Sequence, residues 1–163
     1  MRHAPTHFVG SHTLLKFQRY VETRPQTAHS YAILLGLPPL DWPHLLRAVE
    51  NGLGYDAFEN LRESAGLPPE ELTRWLQLAN RTLARRKQQG RFAAEESDRL
   101  IRAARLLGRA IELFEGDADA AREWLLSAQP ALGNEVPLEV ARTEVGAREV
   151  ENLIGRIEHG VFS

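Results

Sequence analysis

The chain has 163 residues, 43% of them apolar and 26% charged, an ordinary globular mix that is long enough to bury a core without cross-links. It has no cysteine, which excludes disulfides, zinc–thiolate sites and thiol catalysis, and no run of about 18 apolar residues that could cross a membrane. Net charge is only −2, but residues 1–69 carry six Lys/Arg against six Asp/Glu, residues 70–110 ten against five, and residues 111–163 four against eleven. A basic middle beside an acidic end points to two kinds of partner. The start, MRHAPTHFVG, lacks the apolar stretch of a signal peptide, so the expected location is the cytoplasm, with no membrane partner.

Helical punctuation recurs along the chain and strand alternation does not. Residues 26–36 read as a short helix ended by glycine, and residues 38–52 as a second with Pro43 near its first turn. Phe58, Leu61 and Ala65, at i, i+3 and i+7, mark one face of a third over residues 55–66. Gly66 suits a left-handed cap, and Pro68 with Pro69 suits the start of the next helix. GLPP occurs at Gly36 and again at Gly66; the residues after the two copies differ, so this is shared punctuation and not a repeat.

Residues 69–92, PEELTRWLQLANRTLARRKQQGRF, carry the spacing of a helix-turn-helix. Leu72, Leu76, Leu78 and Leu83 fall where two crossed helices bury apolar side chains, and QLAN is a suitable turn. The second helix, from about Asn80 to Gln88, presents Asn80, Arg81, Thr82, Arg85, Arg86 and Lys87, with Arg91 extending the positive surface. Arginine pairs with guanine edges and with phosphate oxygens, so these seven residues are the candidate DNA contacts. The competing reading is a solvated basic helix. Two positions depart from many such motifs: Gln77 stands where the turn often has glycine, and Thr73 where the first helix has a smaller residue.

From Ser97, Leu100, Ala104, Leu107, Ile111 and Phe114 make an apolar stripe, which places Arg99, Arg102, Arg105 and Arg109 on the solvent side. Glu95, Glu96 and Asp98 read as first-turn acids favoured by the helix dipole. Gly116 breaks this helix and Asp117 caps the next, which runs through Trp124 (read as core or intramolecular packing), Leu125 and Leu126. A connector rich in proline and glycine, residues 129–137, precedes two short helices over residues 138–145 and 147–159, the last burying Val150, Leu153, Ile154 and Ile157. The fold class is all-α. His3 and His7 lack a supporting carboxylate, and neither a glycine-rich phosphate loop nor a nucleophile elbow occurs, so no metal, cofactor or catalytic residue is expected.

RTLARRKQQGRFAAEESDRLIRAARLLGRA, followed by WLLSAQPALGNEVPLEVARTEVGAREVENLIGRIEHG, resembles the Xre/ParS-type (Xre/MbcA/ParS) antitoxins, partners of toxins that carry a RES domain. The likeness runs from about Leu45 to the C-terminus, and its most specific pieces are ESDRL, ALG with PLE, TEVGA and GRIEHG. Asn134 departs from it, because the family often has a second glycine there. The resemblance implies an N-terminal helical region (1–44), an Xre/Cro-like helix-turn-helix domain (45–110) and a small helical toxin-binding domain (111–163). It also implies a non-enzymatic inhibitor that occludes an NAD-consuming, ADP-ribosyltransferase-like toxin, represses its own operon and assembles through homodimers. The competing function is a stand-alone repressor whose C-terminal domain only dimerises.

On this resemblance the loop residues Leu132, Gly133 and Asn134 and the terminal residues Arg156, Glu158, His159, Gly160, Val161, Phe162 and Ser163 become the candidate toxin contacts. Gly160 stops the last helix, yet Val161 and Phe162 lie beyond it. Such an end either folds back over its own last turn or anchors in a partner, and burying Phe162 contributes roughly 1.5–3 kcal/mol either way. The toxin reading has Val161 and Phe162 as anchors, with the Ser163 carboxylate reaching toward an arginine-lined NAD pocket.

Overall fold

The structure, a computed structural model, describes residues 12–23 and 29–160. Among the described residues there are nine α-helices: α1 His12–Thr23, α2 Trp42–Asn51, α3 Asp56–Ala65, α4 Pro69–Trp75, α5 Asn80–Gln89, α6 Ala94–Leu113, α7 Ala118–Leu125, α8 Pro137–Val140 and α9 Glu144–Glu158. They contain no strand, only the isolated bridges Gly54–Arg91 and Gln129–Glu135, so the all-α expectation holds.

The 20-residue α6 is the axis of the molecule. Leu100, Ala104, Leu107 and Ile111 are buried as the stripe requires, and Ile101, Ala103, Leu106 and Ala110 are buried on neighbouring faces. So wide an apolar surface needs cover on several sides. It packs against a 3-10 helix, Ser30–Leu35, and against α2, α3, α7 and α9. α1 closes the layer over that 3-10 helix and α3, burying Leu14 and Phe17.

Local chemistry explains the helix ends. The Asp41 carboxylate accepts the His44 N–H and starts α2; the Asp117 carboxylate accepts the Ala120 N–H and starts α7; the Thr143 hydroxyl accepts the Gly146 N–H and starts α9. Both GLPP strings end a helix at a left-handed glycine, Gly36 and Gly66, but only the second starts a helix at its prolines.

The structure corrects several expectations. The helix expected over residues 26–36 is, within the described residues, the 3-10 helix Ser30–Leu35; all six of its residues are buried, so amphipathic spacing is a poor guide there. The helix expected over residues 138–145 is α8, which stops at Val140, because Thr143 already caps α9 and Val145 belongs to α9. Arg99, Arg102, Arg105 and Arg109 are not a solvent face: all four are half-buried and engaged. Glu96 is more than a first-turn acid, being only 6% exposed and paired with Arg86. Trp124, by contrast, packs within the chain as expected, half-buried against Phe114 with ring centroids 6.4 Å apart.

Candidate functional site

α4 and α5 form the expected helix-turn-helix. Leu72, Leu76 and Leu78 are buried and Leu83 is half-buried against the core. The turn places Gln77 at φ 52°, in the left-handed region that glycine usually fills. Arg99 of α6 compensates, its guanidinium donating to the carbonyls of Leu76 (3.1 Å) and Gln77 (3.0 Å). Thr73 is buried and satisfied, its hydroxyl donating to the Glu70 carbonyl at 3.0 Å.

α5 contains no buried residue. Asn80, Arg81, Arg85 and Lys87 are exposed, and Thr82 is half-buried. Arg81, Arg85 and Lys87 make no ion pair or side-chain hydrogen bond with any described residue. Two of the seven candidate DNA contacts are instead engaged by partners within the chain, Arg86 half-buried and Arg91 exposed. Arg86 donates through Nε to both Glu96 oxygens, at 2.6 and 3.2 Å, and through Nη1 to Gln89 at 2.8 Å. Arg91 donates to the carbonyls of Asn51 (3.1 Å) and Gly52 (2.6 Å), closing the end of α2. Burial pushes the Glu96 pKa up, but the Arg86 hydrogen bond, the Ala93 N–H and the charges of Arg86 and Arg99 outweigh it and hold the carboxyl below its ordinary value.

From Arg102 onward, α6 grips α9. Glu144, Glu151 and Glu158, at i, i+7 and i+14, face α6 and pair with Arg102 (2.9 Å), Arg105 (2.7 Å) and Arg109 (3.1 Å). Isolated surface pairs contribute about 0–1 kcal/mol each, but three along one seam fix the register of the two helices. Much of the acidic excess of residues 111–163 is therefore neutralised within the chain. Gly146 lets α9 approach α8, because a Cβ there would overlap the Val140 carbonyl oxygen.

The outer face of α9 carries Val145, Arg148, Glu149, Asn152, Arg156 and His159. Val145 is 80% exposed, an apolar side chain on the first turn of this face. Arg109, Asn152, Gly155, Arg156 and His159 line one shallow, open concavity. Arg156 pairs with Glu149 at 3.4 Å, Glu158 with Arg109, and Gly160 turns left-handed at φ 65°. The loop before α8 is a hydrogen-bonded turn. Gly133 and Asn134 both have positive φ and are exposed, Leu132 packs inward, and the Gln129 and Asn134 N–H groups donate to Glu135 and Gln129, each at 3.0 Å. Thus Asn134 takes the conformation a second glycine would take, which asparagine tolerates well. Val161, Phe162 and Ser163 lie outside the described residues, as do His3 and His7. Among the described residues no group of His, Asp and Glu is placed to hold a metal, and no helix is long and apolar enough to cross a membrane.

Near this face, Glu112 is half-buried beside a groove floored by Phe17, Val21 and Ile111. Burial and the Glu158 charge raise its pKa, against a smaller opposing effect of Arg109. Its ionised form is therefore disfavoured by folding. Glu112→Gln is expected to raise the melting temperature at pH 7, and the advantage should vanish as pH falls through the raised pKa and the native carboxyl becomes neutral too. Thermal melts of both proteins between pH 4 and pH 8 check this.

Comparison with known proteins separates the same two faces. The family model of the antitoxin Xre-like helix-turn-helix domain matches residues 44–105, and that of the antitoxin Xre/MbcA/ParS C-terminal toxin-binding domain matches residues 109–160. The chain is 38% identical over 130 residues to a protein named Antitoxin Xre from Yersinia enterocolitica serotype O:8 / biotype 1B, covering 79% of this chain and 88% of that one. It is 35% identical over the same coverage to another Antitoxin Xre, from Photorhabdus laumondii subsp. laumondii.

Proposed function

The chain belongs to the Xre family of antitoxins, and from that premise we propose that it neutralises a RES-domain, NAD-consuming toxin by occluding its active site and represses its own operon through α5. The observation that carries the reading is the split of uncovered functional groups. Arg81, Arg85 and Lys87 stand free on α5, while the outer face of α9 and the turn at Gly133 and Asn134 lie uncovered on a separate set of elements. The units are residues 1–44, 45–110 and 111–163, with α6 running from the second into the third. The protein acts as a cytoplasmic homodimer, so that two recognition helices reach successive major grooves of operator DNA. Arg81 and Arg85 read base edges, Lys87 meets phosphate, and Asn80 and Thr82 orient the start of the helix.

On the toxin side, Leu132, Gly133 and Asn134 shape the platform, and Arg156, Glu158, His159 and Gly160 lead to the tail Val161–Phe162–Ser163, which enters the NAD pocket. Coexpression with the reading frame next to its own gene tests this. A chain lacking residues 160–163 is expected to lose growth rescue, read as colony formation, although α9 is intact. Rescue by the truncated chain would sink the occluding tail. An adjacent frame with no growth-inhibiting activity would leave the stand-alone repressor.

A further inference from the structure

The proposed recognition helix, α5, buries no residue of its own, so apolar packing fixes its angle only through the half-buried Leu83. Its C-terminal half is held by polar contacts. The Gly90 carbonyl accepts the Tyr55 N–H at 3.0 Å, and Arg86 is clamped by Glu96. Glu96 has almost no freedom. It is 6% exposed, sits in the first turn of the axial helix and also accepts the Ala93 N–H at 2.9 Å. A charge-assisted bond of 2.6 Å from so fixed a carboxylate is stronger and more directional than a neutral one.

We propose that Glu96 is a positioning residue for DNA recognition: through Arg86 it sets the angle at which α5 presents Arg81 and Arg85, and Arg86 itself is not a phosphate contact. This rests on the reading of α5 as the recognition helix. Glu96 and α6 thereby link the framework to sequence discrimination, while overall attraction to DNA comes from the free cations.

Full-length Glu96→Gln is titrated against a duplex spanning the DNA upstream of its own reading frame and against a random duplex of equal length, over a range of salt. The expected result is a specific-to-random affinity ratio lowered about tenfold, with the salt slope for random DNA unchanged. Growth rescue against the toxin should be unchanged, which a general loss of folding would not allow. Arg86→Gln is expected to give the same loss, and the double variant no more than either alone. Arg86→Gln leaves the Glu96–Ala93 bond in place, so it carries the test if Glu96→Gln melts the fold. A ratio unchanged within twofold, or a salt slope reduced by about 0.9 in Arg86→Gln, overturns the proposal. If Arg81→Ala/Arg85→Ala also keeps the upstream duplex, the fault lies in the assignment of α5 instead.

Discussion

Arg81→Ala combined with Arg85→Ala abolishes operator binding, with an expected loss of at least about a hundredfold, and leaves toxin neutralisation intact. Each arginine that reads a base edge is worth about 1–3 kcal/mol, so two removed from one helix reach that loss before a second protomer is counted. Neither side chain supports the fold: both are exposed and neither pairs with a described residue. Alanine also has the higher helix propensity, so the melting temperature should not fall. Arg91→Ala would be a misleading choice, because it removes the donors that close the end of α2. Fluorescence anisotropy on the upstream duplex at two salt concentrations, beside a coexpression growth assay, gives both readouts. Operator affinity within a few-fold of the parent would remove α5 from the DNA interface.

Sequence spacing reveals the scaffold of this site because its determinants are local. Leu72, Leu76 and Leu78 lie within one helix-turn-helix, the first two buried by helical period and the third by the turn that follows them. The roles of individual arginines are not legible in the same way. Arg86 and Arg85 are neighbours of the same type, yet one is clamped by Glu96, ten positions on, and the other is free. The same holds for the row on α6. Periodicity places Arg102, Arg105 and Arg109 opposite the apolar stripe, but cannot say that α9 covers that side and brings Glu144, Glu151 and Glu158 to meet them. An acidic C-terminal region thus resembles a surface for a partner when part of it is an internal seam. The seven-residue spacing of those glutamates is the one available signal. Val145 escapes notice for a simpler reason: a helix expected over residues 138–145 absorbs it, although Thr143 three residues before Gly146 already has the spacing of a cap.

That cap leads to the second large effect, Gly146→Ala. A Cβ at Gly146 would overlap the Val140 carbonyl oxygen and lie 2.7 Å from its carbon, and both are backbone atoms that cannot rotate away. The first turn of α9 must lift from α8, which disturbs the Thr143 cap and the Arg102–Glu144 pair at the same end. Overpacking of this kind costs about 3 kcal/mol, or roughly 6–12 °C in melting temperature for a chain of this size. Gly155→Ala on the same helix is the internal control. Its Cβ would meet only the end of the Arg109 side chain, at 3.6 Å, so the helix-propensity gain of up to about 1 kcal/mol should prevail and stability should hold or rise. The displaced segment in Gly146→Ala carries Val145 and the start of the outer face of α9; it borders α4, since Arg74 pairs with Glu139 of α8, but α5 is clamped separately to the first turn of α6 through Arg86 and Glu96. Growth rescue against the toxin should therefore fail at temperatures where the upstream duplex is still bound. Loss of both activities together, with a single lower melting transition, would instead mean that α9 and the helix-turn-helix unfold as one unit and that α6 transmits the damage along its whole length.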